Sequence, residues 1–390
     1  MEYNFDEIIP REETDCFKYD YRKEYFGTSE VIPMWVADMD FKTPDFVMAA
    51  IRKRAGHEIL GYSIRSDGFY SSAIDWFSHR QQWMIEKDWL LFTPGVVPAL
   101  SFAVNAFSEP GDKIILQPPV YHPFFHVIKG NGREIIENPL RFVNGRYSMD
   151  LYQLAAQLDK KVRMILISHP HNPVGRLWQK EELRDLASLC MENNIIMVSD
   201  EIHSDLILPG HKHTPLASIS EEIAGMTITS VAPSKTFNLA GMSTSLAVIS
   251  NERLRRRFSS QLERAHLWTG NIFGNIALET AYREGDDWLN QLIMYLSGNV
   301  EYLKSFLVKE LPQIRLIEPE ATYLMWLDMS ALGMNDEELK KFMIEKARLG
   351  CNDGPSFGTG GSGFQRMNVA CPRAVLKKAL EQLKEAIDQL

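Results

Sequence analysis

The stretch MILISHPHNPVGRLWQKEELRDLASLCMENNIIMV, residues 164–198, decides the fold. It opens on one apolar run, 164–167, and closes on another, 195–198. Neither run alternates with polar residues, as expected for strands covered on both faces. Between them, 179–194 sets Leu183, Leu186, Ala187 and Cys190 on one helical stripe, and Asn193 and Asn194 suit a helix end. Strand, helix and strand at this spacing make a βαβ unit and predict a mainly parallel sheet. Further short runs at 113–116 (KIIL), 226–229 (MTIT) and 246–249 (LAVI) read as strands of the same sheet.

The C-terminal part reads differently. Helical patterns cover 286–311 and 335–349, a short strand lies at 323–327, and a last helix runs over 373–390. The expected architecture is α/β: a large domain over 45–285 with a mainly parallel sheet, and a smaller α+β domain from 1–44 together with 286–390. At 390 residues the chain suits about two to three structural units.

Net charge is −9, and the only basic run, RLRRR at 253–257, reads as a solvated helix face. That excludes the basic stripe of a nucleic-acid binder. No window reaches the roughly 18 apolar residues of a membrane span, and the acidic N-terminus lacks a signal-peptide pattern. The four cysteines form no CxxC pair, which fits a reducing, cytoplasmic setting.

In open parallel sheets, ligands sit beyond the carboxyl ends of the strands. After 113–116 comes QPPVYHPFF, with Tyr121 at its centre. SHPHNPVGR follows 164–167 and carries Asn172. SDEIHSDL, after 195–198, carries Asp200 and His203. SVAPSKTFN, at 230–238, carries Lys235. Singly, these are a loop aromatic, a turn amide, a cap and a solvated lysine. Together they suit pyridoxal phosphate, which needs a lysine to bond its aldehyde, an acid for its ring nitrogen, donors for its phenolic oxygen and an aromatic to stack on. Its phosphate needs N–H groups at a helix start. Thr93-Pro94-Gly95 followed by a helical stripe provides one, with the N–H groups of Val96 and Val97.

With these residues the chain resembles a fold-type-I pyridoxal-phosphate enzyme of the class I/II aminotransferase superfamily, with the aspartate aminotransferase-like fold. It is most similar to the cystathionine β-lyase branch of the PatB/MalY kind. The likeness rests on PMWVADMDF (33–41), GYSI (61–64), PPVYHPF (118–124), HPHNPVGRLW (169–178), SDEIHSDL (199–206), GHKHTP (210–215), APSKTFNLAG (232–241) and FQRMNVACPR (364–373). It implies that Lys235 bonds the cofactor and that Asp200 pairs with the pyridine nitrogen. Asn172 and His203 would contact the phenolic oxygen, and Tyr121 would stack on the ring. Tyr62 would reach the phosphate of a neighbouring subunit, so a homodimer with shared sites is implied. Arg366 would bind the substrate carboxylate, with Asn271 and Trp35 lining the substrate pocket. Trp268 and Phe357 would set its breadth.

Three residues depart from the superfamily's common pattern. Ala232 stands where a phosphate-binding serine is frequent, which leaves Ser234 with Thr236 to serve. Ser243 replaces a frequent arginine, and His203 a frequent tyrosine. All three favour a carbon–sulfur β-lyase acting on cystathionine or related S-substituted cysteines. The alternatives are an aminotransferase and, less favoured, a cofactor-binding regulatory protein without turnover. No metal is expected, because the histidines of GHKHTP lack an acid or cysteine framework. The GTGGSG run at 358–363 reads as a loop that positions Arg366. Cys351 and Cys371 read as buried thiols.

Overall fold

The computed structural model of the protein describes residues 2–267 and 269–390. Seven strands build the main sheet: β1 (Leu90–Thr93), β2 (Lys113–Leu116), β3 (Glu134–Glu137), β4 (Val162–Ser168), β5 (Ile196–Asp200), β6 (Thr227–Val231) and β7 (Ser245–Val248). Their order is β1-β7-β6-β5-β4-β2-β3. β2 to β6 pair in parallel, and β7 alone runs against both its neighbours.

Burial on both faces explains the unbroken apolar runs. Successive strand side chains point to opposite faces. Ile115, Ile165, Ile167 and Met197 pack with Leu183, Leu186, Ala187 and Cys190 of the helix Lys180–Glu192. Ile114, Leu116, Met164, Leu166 and Val198 pack instead with Ala99, Leu100, Ala103 and Val104 of the helix Val96–Phe107. The crossover helix begins with a capping box, in which Glu182 accepts from the Gln179 N–H at 2.8 Å.

Two short strands of this main sheet escaped the sequence reading. β1 looks like the lead-in to a helix, and β3 is a half-exposed edge strand rather than an apolar run. β5 also runs on to Asp200, so the carboxylate ends the strand instead of following it.

A second sheet has β8 (Arg315–Leu316), β9 (Leu324–Asp328), β10 (Asn352–Asp353) and β11 (Phe364–Asn368), in the order β8-β9-β11-β10. The helix Asp286–Glu310 packs beside the C-terminal helix Arg373–Ile387, each presenting a buried stripe such as Leu296, Leu303 and Leu307 against Leu376, Leu380 and Leu383. The helix expected over 335–349 is shorter. It covers Asp336–Lys341, continues as a wider turn over Phe342–Lys346, and gives way to Leu349–Gly350, which pairs in parallel with Ile32–Pro33. No helix among the described residues is long and apolar enough to cross a membrane.

Candidate active site

One pocket lies beyond the carboxyl ends of β4, β5 and β6, beside the start of the helix Val96–Phe107. It collects Tyr121, Asn172, Asp200, His203, Ser234 and Lys235 from four separate stretches of chain. Lys235 sits in the single helical turn Pro233–Thr236 after β6. Its amine donates to the Ala37 carbonyl at 2.7 Å. Burial lowers the amine to about 8. Asp38 and Asp200 oppose that fall, while the Arg366 charge adds to it.

Asp200 ends β5. Its Oδ1 accepts from the Ile202 N–H at 3.1 Å. Burial pushes the carboxyl up to about 7, against that hydrogen bond and the Lys235 charge. A carboxylate held this way gains from a cationic N–H placed against it. His203 is buried, and its Nδ1 has no partner. Burial, with Lys235 and Arg366 nearby, keeps the ring far below its ordinary pKa and therefore neutral. Burial likewise raises the Tyr121 phenol.

At the other end of the pocket, Gly95 takes φ 144 and starts the helix that exposes the N–H groups of Val96 and Val97. Only glycine adopts that backbone readily. Ser234, Ser243 and Thr244 line the same end. Helix-start N–H groups and hydroxyls together form a cradle for an anion. Thr236 does not join them. Its hydroxyl donates to Asp205 Oδ2 at 2.9 Å, away from the pocket, which corrects the expectation that it helps Ser234. Thr244 lines the pocket and was missed, although its hydroxyl donates to Met242 O at 3.0 Å; its one sequence signal is its position next to Ser243.

Arg366 lies on β11, fully buried. Its guanidinium donates to Asn172 Oδ1 at 3.0 Å, Trp35 O at 2.8 Å and Asn352 Oδ1 at 2.6 Å. It lies over the Phe357 ring at 5.0 Å. Its Nε is unpartnered, and burial brings it down to about 10. Among the described residues, none of its hydrogen-bond partners is a carboxylate. An incoming carboxylate would supply the missing charge in a fork geometry.

Three expected pocket residues lie elsewhere within this chain. The Trp35 ring stacks on Tyr25 at 4.1 Å and its Nε1 donates to Lys18 O at 3.0 Å, so only its carbonyl faces Arg366. Asn271 caps the helix Ile272–Glu284, accepting from Gly274 N and donating to Met242 O, each at 2.5 Å. Those bonds hold its amide outside the pocket lining. Tyr62 is 94% exposed, on a stretch that also exposes Ile59, Leu60 and Ile64. Trp268 lies outside the described residues.

The histidines of GHKHTP do not converge. His213 pairs with Glu201 at 2.9 Å and stacks on His169, whereas His211 is exposed. Burial pushes the Cys351 and Cys371 thiols up to about 12, far from a thiolate nucleophile.

Comparison with known proteins agrees with this geometry. The family model described as aminotransferase class I and II matches residues 29–383. The chain is 43% identical to cystathionine β-lyase PatB of Bacillus subtilis (strain 168), over 98% of this chain and 100% of that one. It is 30% identical to protein MalY of Escherichia coli (strain K12), over 99% of each. Among solved structures, cystalysin from Treponema denticola, which contains pyridoxal 5'-phosphate, superposes with a TM-score of 0.97 at 38% identity and full coverage of both chains. The pyridoxal-phosphate-bound C–S lyase from Staphylococcus hominis gives 0.93 at 35% identity, over 99% of this chain and 98% of that one. A pocket built from strand-end lysine, carboxylate and amide, within a likeness that spans the whole chain, places this protein in the aminotransferase class I and II family.

Proposed function

We propose that this protein is a pyridoxal-phosphate-dependent carbon–sulfur β-lyase that cleaves L-cystathionine or related S-substituted cysteines to a thiol, pyruvate and ammonia. The observation that carries the reading is a pocket lined by Lys235, Asp200 and Asn172, with the buried, carboxylate-free Arg366 bonded to Asn172. The full-length likeness to a cystathionine β-lyase favours elimination over amino transfer.

The residues fit the cofactor. Lys235 would bond it, Asp200 would face its ring nitrogen, and Asn172 with the unpartnered His203 would meet its phenolic oxygen. Tyr121 would stack on the ring. The Val96 and Val97 N–H groups would hold the phosphate with Ser234 and Ser243. When bound, pyridoxal phosphate supplies the electron sink that weakens the Cα–H bond of an amino acid.

The chain's own residues do the rest. Arg366 grips the substrate carboxylate, and Asn172 and Asn352 hold the guanidinium in place. Asp200 would keep a proton on the cofactor's ring nitrogen. The Lys235 amine, once free, takes the Cα proton as general base; a value near 8 suits that task close to neutral pH. The Cβ–S bond then breaks and the thiolate departs. The 2-aminoacrylate left behind is hydrolysed by water to pyruvate and ammonia. With cystathionine the thiol is homocysteine.

A homodimer with shared sites belongs to the same proposal. The exposed apolar stretch around Tyr62 supports it, because such patches mark interfaces. Tyr62 of the partner subunit would reach the phosphate, offsetting the cation lost at Ser243. Asn271, whose amide donates to Met242 O, the residue before the lining Ser243, would face the same interface. Residues 45–285 would form the cofactor-binding unit, and 1–44 with 286–390 the second. The four unpaired cysteines fit a cytoplasmic enzyme.

The test is free thiol released from L-cystathionine by the holoenzyme, read with a coloured disulfide reagent. Sustained thiol release supports the reading, and its absence overturns it. Arg366→Ala is expected to raise KM about a hundredfold, from roughly 3 kcal/mol of charge-assisted hydrogen bonding, while the cofactor stays bound. An unchanged KM would reject its carboxylate role.

A further inference from the structure

Segment 34–41 is tied down from several sides. Met34 N–H donates to Gly350 O at 2.7 Å. The Asn368 side chain donates to the Val36 and Asp38 carbonyls at 2.7 and 2.6 Å. Asn238 accepts from Met39 N–H and donates to Met39 O. Between these ties the Ala37 carbonyl takes two donors: the Lys235 amine at 2.7 Å and the Tyr323 hydroxyl at 2.9 Å. A carbonyl oxygen has two lone pairs, so both are used.

Tyr323 is fully buried and its ring sits edge-on to His203 at 5.9 Å. The residue before it, Thr322, has φ 71. That conformation is costly for a β-branched side chain and persists only where surrounding structure enforces it. Thr322 Oγ1 also accepts from the Leu324 N–H at 3.0 Å, which fixes the corner that leads into the tyrosine.

We propose that Tyr323 is a positioning residue for Lys235: its hydroxyl occupies one lone pair of the Ala37 carbonyl and so limits how well that oxygen can hold Lys235 as an ammonium ion. The inference rests on the reading of Lys235 as the cofactor-bonding lysine. The groups facing this pair are Asp38, Asp200 and Arg366 around Lys235, and Asp38, Arg366, Tyr121 and the neutral His203 around Tyr323. The two carboxylates favour the ammonium, and burial with Arg366 opposes it. Tyr323 tips this balance toward the neutral amine without adding charge. With the hydroxyl removed, the whole oxygen faces the amine. The ammonium gains more from that than the amine does, so the lysine's pKa rises.

The experiment uses cofactor-free full-length protein and pyridoxal phosphate, comparing wild type with Tyr323→Phe. The rate of cofactor attachment is followed by absorbance across about pH 6 to 10, a range that brackets the lysine. Only the neutral amine attacks, so the rate rises through the lysine's pKa. Wild type should show a midpoint near 8. The variant's midpoint should lie about 0.5–1 unit higher, slowing attachment at pH 7 about three- to tenfold. Coincident midpoints, or a lower one in the variant, would overturn the proposal. So would a fall in Tm alone, which would make Tyr323 merely structural. Failure of both proteins to attach the cofactor at all would remove the Lys235 reading as well.

Discussion

Lys235→Ala should purify folded, hold pyridoxal phosphate without a covalent link, and yield no borohydride-reducible lysine adduct. Turnover should fall about 10³-fold or more, at least about 4 kcal/mol of barrier, because in the proposed mechanism one residue both bonds the cofactor and carries the Cα proton. The pocket gives no substitute. Lys235 is the one cationic side chain among its described lining residues. The Arg366 guanidinium is committed to Asn172, Trp35 and Asn352. The fold should survive, since the amine's single hydrogen bond goes to a carbonyl that keeps Tyr323 as a donor. A borohydride-stable lysine adduct in the variant would mean that another lysine bonds the cofactor.

Asp200→Asn is expected to have the next largest effect. The change keeps shape and the Ile202 hydrogen bond but removes the charge. Without it a ring nitrogen placed against residue 200 would lose the partner that keeps it protonated, and the electron sink would weaken. We expect kcat to fall about 10²- to 10³-fold, the scale seen when one aligned electrostatic stabiliser is removed, with KM little changed. A kcat within about threefold of wild type would rule out the pairing. The same substitution carries a stability signature in the cofactor-free protein. The folded carboxyl titrates near 7, above its unfolded value of about 3.9. The folded state therefore binds the extra proton between those values, and stability falls as pH rises from about 4 to 7. The asparagine variant should lack that component of the pH dependence.

The main sheet was legible because strands covered on both faces read as unbroken apolar runs, and because the crossover at 179–194 has a clean stripe. β1 was not, because LLFT runs into the next helix and reads as its lead-in, nor was β3, a half-exposed edge strand. The gathering of the candidate side chains at strand ends was legible because local order fixes it: whatever follows a parallel strand lies at the ligand-binding edge.

What sequence could not supply was partnership across the fold. Thr236 and Thr244 are both threonines near Lys235, yet only the contact with Asp205 shows which faces the pocket. Trp35 and Asn271 lie in motifs that resemble pocket linings, but Tyr25 and Lys18 claim the first and the helix at Ile272 the second. The role proposed for Tyr323 left no trace, because it runs through a backbone carbonyl 286 residues earlier in the chain. Backbone groups have no letter in the sequence.

The most direct measurement is pyruvate formed from L-cystathionine by the purified holoenzyme, with no 2-oxo acid present. Pyruvate that keeps accumulating well beyond one equivalent of enzyme, matched by free thiol, is the predicted result. A stop at or below one equivalent, with turnover restored only when a 2-oxo acid is added, would contradict elimination and make the protein an aminotransferase.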